Sequence, residues 1–309
     1  MIKILVTGAA GSIGSALVDR LLTYPEYQII AVDNFLTGNS TKLPAGQNSN
    51  FIFIKADVNN YYEISSIMLS YGFDYVFHYA AVVGVQRTLE YPVLVLNDIQ
   101  GIKNILDLSK NTGVKRVFYS SSSEVYGEPV EFPQNERTTP LNSRLPYAVV
   151  KNVGEAFLRS YHKEYELRYT IFRFFNTYGP RQSDDFVVTK FLKQALHNEP
   201  LTIYGLGSQT RTFCYIDDNI DTTIACLQKD LCVNDVMNVG NDEEITVKEL
   251  ASKVVHLTGS SSRIDFLPPL KEGDMTRRKP DIAKMRGVLG RPLISLEEGL
   301  KRTLEKRMF

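Results

Sequence analysis

The sequence has 309 residues, 43% of them apolar, which suits one large or two medium domains and excludes a disordered chain. Lysine plus arginine equals aspartate plus glutamate at 35 each, so the basic excess of a nucleic-acid binder is missing. The three cysteines, Cys214, Cys226 and Cys232, do not suggest a disulfide framework, and the four histidines have no metal-ligand spacing. The first run, "IKILV", is too short for a signal peptide, and no run approaches the roughly 18 apolar residues of a membrane span. The expectation is a reduced, soluble, cytoplasmic protein with no metal, membrane or nucleic-acid partner.

Short apolar runs recur along the first half: "IKILVTG", "YQIIAVD", "FIFIKAD", "YVFHYAA", "KRVFYSS" and "YTIFRFF". Each has strand length and is rich in β-branched and aromatic residues, the pattern of strands buried on both faces of a parallel sheet. Helix-like stretches separate them, such as "GSALVDRLLTY", "NDIQGIKNILDLSKNTG" and "AVVKNVGEAFLRSYHKEY". The alternation predicts an α/β fold with a doubly wound parallel sheet over residues 1–175. Beyond "FFNTYGPRQSDD" it weakens. "FVVTKFLKQALHNE" reads as a helix, and "PLTIYG", "RTFCYI" and "DVMNVG" as short strands. "TVKELASKVVHLTG" reads as a helix capped by Thr246 and ended by Gly259. Residues 176–309 therefore form a smaller α/β lobe, with some segments returning to the first domain.

The stretch "VTGAAGSIG" places Gly8, Gly11 and Gly14 between the first strand and the first helix. That context suits a dinucleotide-binding turn. Gly8 permits the tight turn, Gly11 lets the backbone approach a pyrophosphate, and Gly14 lets the helix pack close to the sheet. The helix N-terminus then offers free amides to phosphates. Asp33 ends the second run, 19 residues after Gly14, where a carboxylate accepts ribose hydroxyls and repels a 2′-phosphate. No arginine follows in "NFLTGNS", which favours NAD over NADP. Asp57, ending "FIFIKAD", is placed to face the adenine.

Among 17 tyrosines, only Tyr147 has a lysine, Lys151, four residues on, one turn along a helix. A nearby ammonium is expected to lower the tyrosine pKa, fitting it to take a proton from a substrate hydroxyl. "YSSSSEVYGEP" follows the fifth predicted strand, and its serines suit the carboxyl edge of an open sheet, where ligands bind.

With "TGAAGSIG", "HYAA", "SSSSEVYG", "YAVVK", "RFFNTYGPRQ", "YGLGSQTRTFCYIDD" and "TRRKPDIAKMRGVLG…SLEEGL" on the page, the chain resembles an extended short-chain dehydrogenase/reductase of the nucleotide-sugar epimerase/dehydratase/decarboxylase group. The resemblance implies an NAD site of Gly8, Gly11, Ser12, Ile13, Gly14, Asp33, Asn34, Asp57, Val58 and Ala80, with Tyr147 and Lys151. It implies that Ser122 binds the sugar 4-hydroxyl, that Tyr147 is the base and that Lys151 is its partner. Asn176, Arg211 and Arg277 match positions that hold the substrate's diphosphate or nucleotide. It further implies a two-fold homodimer, built on the helices that follow Asn97 and carry Tyr147, and a product used for surface polysaccharide or glycoconjugate.

Family members begin by oxidising C4 of the sugar, and further groups decide the outcome. Glu124 matches an acid of the 4,6-dehydratases and UDP-glucuronate decarboxylases. Ser123 departs from the Asp-Glu pair of dTDP-glucose dehydratases and agrees with the Thr-Ser-Glu of GDP-mannose dehydratases and decarboxylases. In "TRRKPDI", Arg278 matches a catalytic arginine of decarboxylases, while the longer decarboxylase signature around the tyrosine is absent. "AAVVGVQRTLEYP" is similar to uronate 4-epimerases, and Leu206 stands where the family usually has aspartate. The expectation is an NAD-dependent enzyme working through a 4-keto nucleotide sugar. A 4,6-dehydratase is placed first and a 4-epimerase second, with decarboxylation and net 4-oxidation behind. A non-catalytic NAD sensor is disfavoured because Tyr147 and Lys151 are both present.

Overall fold

The computed structural model describes residues 1–46, 48–269 and 276–306. The opening Asp274 and Met275 of "DMTRRKPD" and the last three residues of the C-terminal lobe lie outside the described residues. Seven strands form one parallel sheet: β1 (Ile2–Thr7), β2 (Tyr27–Asp33), β3 (Phe51–Lys55), β4 (Tyr75–His78), β5 (Arg116–Ser122), β6 (Tyr169–Phe174) and β7 (Asp235–Val239). Their spatial order is β3-β2-β1-β4-β5-β6-β7. The order reverses between β1 and β4, the switch point at which an open α/β sheet forms a crevice.

Alternation along each strand sorts side chains into two cores. Ile4 and Val6 of β1, with Ile29 and Ala31 of β2, pack on the face covered by the helices Ser12–Leu21 and Ile216–Gln228. Leu5, Ile30 and Val32 pack on the opposite face, below the helices Tyr61–Tyr71, Asp98–Thr112 and Pro146–Tyr165. Both faces are covered, which is why the strands read as continuous apolar runs.

The sheet is polar at its two ends for different reasons. At the start of β5, Arg116 is fully buried. Its guanidinium lies 4.2 Å from the Phe118 ring centre and donates to the carbonyls of Cys226 (2.5 Å) and Leu231 (3.0 Å). It thereby satisfies one carbonyl in the last turn of the Ile216–Gln228 helix and one just beyond it. At the other end, β5 closes on Ser120, Ser121 and Ser122, which turn into the crevice.

The second half contributes to both parts of the fold. "DVMNVG" is a segment that returns to the first domain: β7 pairs with β6 at the edge of the main sheet. "RTFCYI" divides in two. Thr210–Thr212 pairs antiparallel with Glu244–Thr246, while Cys214–Tyr215 pairs parallel with Thr177–Tyr178. Leu201–Tyr204 pairs with Ile264–Leu267. The helix Val247–Thr258 carries a full capping box, Thr246 with Glu249, and ends at a left-handed Gly259. Among the described residues no helix is long and apolar enough to cross a membrane.

Gly14 serves the glycine loop more than the sheet. A Cβ there would run into the Gly8 carbonyl oxygen and the Ala9 backbone. Gly14→Ala is therefore expected to destabilise the fold by about 1–3 kcal/mol through overpacking. A lowered urea midpoint with unchanged slope is the expected result, and an unchanged midpoint would show that the helix can shift away from the loop.

Candidate active site

A continuous cavity of about 860 Å³ runs along the carboxyl edge of the sheet, from the glycine loop to Arg278. Gly8 has φ of 69°, and a Cβ there would lie 2.6 Å from the Ala80 nitrogen, so the ends of β1 and β4 meet closer than an L side chain allows. Thr7 sets this approach. Its hydroxyl accepts from the Tyr79 and Ala80 amides, both at 3.2 Å. Its own proton then goes to His78 Nδ1 at 2.9 Å, which assigns His78 the Nε2-protonated tautomer. Burial, with Lys151 nearby, holds His78 down at about 3, so this ring is neutral at ordinary pH.

Gly11 caps the first helix without a side-chain hydrogen bond. The first-turn amides of Ser12, Ile13 and Gly14, all lining the cavity, have no partner within the helix. Asp33 is buried beside them. One carboxylate oxygen accepts from the Ala10 amide at 2.9 Å and the other from the Phe35 amide at 2.8 Å. The carboxylate braces the glycine loop, and each oxygen keeps capacity for a ribose hydroxyl. Asn34, Asp57, Val58 and Ala80 line the same end.

At the other end the Pro146–Tyr165 helix brings Tyr147 and Lys151 together. Lys151 Nζ lies 5.7 Å from the Tyr147 ring centre, 5.1 Å from that of Tyr119 and 3.4 Å from Ser120 Oγ. The expected lowering of the Tyr147 pKa is corrected by the structure. Burial pushes the phenol up, the Glu124 carboxylate adds to the rise, and a hydrogen bond with Ser122 opposes it. Burial also weakens the ammonium that was to do the lowering, taking Lys151 from 10.5 down to about 8.

Asp98 is a pocket residue that sequence reasoning missed. It opens the helix Asp98–Thr112, accepts from the Val82 amide at 2.7 Å and favours the charged form of Lys151. An acid in a first helical turn reads as an ordinary complement to the helix dipole, so spacing alone does not mark it.

Ser122 Oγ accepts from the Glu124 amide at 3.2 Å. Arg278 Nη2 donates to Glu124 Oε1 at 2.6 Å, and Nη1 reaches Ser123 Oγ at 3.4 Å. Arg278 is only 6% exposed, and its buried Nε has no hydrogen-bond partner among the described residues. Asn176 lines the cavity in a left-handed conformation, φ 35°, with its side-chain amide donating to the Thr212 carbonyl at 2.9 Å.

Arg211 and Arg277 are not among the cavity's lining residues. Arg277 forks onto Glu244 at 2.6 and 2.7 Å and stacks 4.2 Å from the Phe132 ring centre. Arg211 is buried opposite Ile245, with Nη1 donating to the Thr210 carbonyl at 2.8 Å. The structure thus assembles Ser122, Ser123, Glu124, Tyr147, Lys151 and Arg278 at one end of the cavity and leaves these two arginines outside it. Among the described residues no group of three or more His, Cys, Asp or Glu side chains could hold a metal ion. A hydroxyl acid–base pair, a buried guanidinium and a phosphate-ready loop in one cavity suit redox chemistry on a phosphorylated, hydroxylated substrate.

A family model described as "NAD dependent epimerase/dehydratase family" matches residues 4–240. UDP-glucuronic acid decarboxylase 1 of Danio rerio is 36% identical over 314 residues, covering 98% of this chain and 72% of its own. Among solved structures, the UDP-glucose 4-epimerase of Thermotoga maritima with UDP-glucose is 34% identical, with a TM-score of 0.92 and coverage of 99% and 98%. The UDP-glucuronic acid 4-epimerase of Bacillus cereus, in complex with UDP-glucuronic acid and NAD, is 33% identical, with a TM-score of 0.89 and the same coverage.

The Lys151 shift has a definite sign. Its folded pKa lies below the unfolded value, so the buried charge costs stability below about pH 8, and the cost fades as pH rises toward 10.5. Lys151→Met in the cofactor-free protein is expected to melt higher than the parent at pH 6. The gain should shrink between pH 8 and 10.5, as thermal melts across that range would show.

Proposed function

The chain belongs to the NAD dependent epimerase/dehydratase family, and from that premise we propose that it decarboxylates a nucleotide-activated uronic acid through a 4-keto intermediate. The observation that carries this reading is Arg278, a nearly buried cation that lines the cavity holding Tyr147 and is set against Glu124 and Ser123. A sugar carboxylate is the complement of such a group. Dehydration, the leading expectation from sequence, asks Glu124 to act as an unengaged base at C5. In the structure its Oε1 is taken by the Arg278 guanidinium at 2.6 Å. The decarboxylase relative, similar along nearly the whole chain, supports the same choice.

NAD fits the rest of the cavity. The Gly8 cradle would be filled by a Cβ, the first helix opens on amides with no partner within the helix, and Asp33 stands ready for ribose hydroxyls. NAD, when bound, would supply a hydride acceptor for C4 and would return that hydride at the end of the cycle. Ser122 holds the 4-hydroxyl, and Tyr147 takes its proton as C4 becomes a ketone. The carboxylate is then β to a ketone. The C5–C6 bond breaks with loss of carbon dioxide, its electrons pass to the C4 oxygen held by Ser122 and Tyr147, and a solvent proton replaces the carboxylate at C5. Arg278 orients the departing carboxylate and holds it in the cavity until that step.

The direct test is product mass after incubation with UDP-glucuronic acid in heavy water. Loss of carbon dioxide with gain of one deuterium is expected. An unchanged mass with a new chromatographic peak would mean 4-epimerisation, and loss of water from a nucleotide hexose would mean dehydration; either overturns the reading. Arg278→Lys, which loses the planar fork, should lower kcat about a hundredfold.

A further inference from the structure

We infer that a buried hydrogen-bond chain, Ser121–Glu155–Arg173–Tyr126–Asn238, is a positioning device that holds the Arg278 segment in register with Tyr147. It rests on the reading above, because it takes Arg278 as the group that meets the substrate.

Ser121, Arg173 and Asn238 stand in one row across β5, β6 and β7, paired Ser121 with Arg173 and Arg173 with Asn238. Glu155 lies eight residues beyond Tyr147 on the same helix. Its carboxylate accepts from Ser121 Oγ at 2.7 Å, and from Arg173 Nε and Nη2 at 2.8 and 2.7 Å. Arg173 Nη1 donates to the Tyr126 hydroxyl at 2.8 Å, which donates in turn to Asn238 Oδ1 at 2.7 Å. Asn238 Nδ2 then donates to the carbonyls of Gln134 (2.8 Å) and Asp281 (3.2 Å). Gln134 is laced to the same segment: its amide donates to the Lys279 carbonyl at 2.7 Å, and its carbonyl accepts from the Asp281 amide at 2.8 Å. Arg278 is the residue immediately before this clamp.

One end of the chain is therefore fastened to the Tyr147 helix and to the strand carrying Ser122, and the other to the backbone carrying Arg278. Each of its five members is no more than 2% exposed, so water does not lubricate it. Stability alone does not demand such an arrangement, since well-packed apolar side chains can replace a buried ion pair at little loss. What the chain adds is direction: each link is a charged or fully paired group with a fixed geometry. A guanidinium displaced by about 1 Å from a reacting carboxylate can lose a hundredfold in rate.

Tyr126→Phe removes one oxygen and keeps the ring. It is expected to lower kcat about tenfold to a hundredfold with little change in KM. The absorbance of reduced cofactor should accumulate before turnover, because C4 oxidation proceeds while decarboxylation waits. A purely structural role would lower the melting temperature and leave kcat, measured well below it, at the parent value with no accumulation; that result overturns the proposal. The double variant Glu155→Leu/Arg173→Met replaces the ion pair with apolar groups, and parent-like kcat in it would also overturn the proposal. Arg278→Lys, run in parallel, separates the two ideas. If it keeps parent kcat, the decarboxylation reading fails; if it is slow while Tyr126→Phe is not, only the positioning role fails.

Discussion

The ends of β1 and β4 come together at Gly8, where the backbone of one strand touches that of the other and the Thr7 hydroxyl stitches them. The remaining parts of the cleft are placed by that approach. The first helix can begin at Gly11 only because the chain turns sharply at Gly8, and Asp33 reaches Ala10 only because the turn brings the loop across β2. A neutral His78 behind Thr7 keeps the contact free of charge, so it does not alter across the ordinary pH range.

Around this neutral hinge the molecule buries a good deal of charge. Burial alone would raise the Glu155 carboxyl and lower the Arg173 guanidinium, but their fork outweighs it, so pairing pulls the carboxylate down and the guanidinium up. Lys151 is less well served: burial lowers its pKa, and the Asp98 carboxylate opposes that fall only in part. The contrast separates two uses of buried charge. The fork is a fixed part of the framework, whereas Lys151 can change its protonation within the working range.

The parallel sheet was legible because strands covered on both faces leave an unbroken apolar trace, and the glycine loop because its residue types answer to backbone geometry. Tyr147 and Lys151 were correctly paired by spacing, but the direction of the tyrosine shift was not, since spacing says nothing of how much water a fold removes. Arg277 and Arg278 show the limit most clearly. They are neighbours, yet one turns outward to Glu244 and the other inward to Glu124, because successive residues in extended backbone face opposite ways. Which of the two enters the cavity depends on the distant carboxylates, and no local pattern encodes that. Asp98 and the Glu155–Arg173 fork were hidden for the same reason: their partners lie far along the chain.

β7 has a consequence for how such a chain can be divided or recombined. It arrives after a long excursion through the second half, yet it completes the sheet of the first and carries Asn238. A cut near residue 175 would leave β6 as a bare edge open to association with other chains. An exchange of the second half between relatives would have to carry β7 and the segment around Arg278 together. The unit of inheritance is therefore an interleaved pair of segments, and the two halves are not portable cassettes.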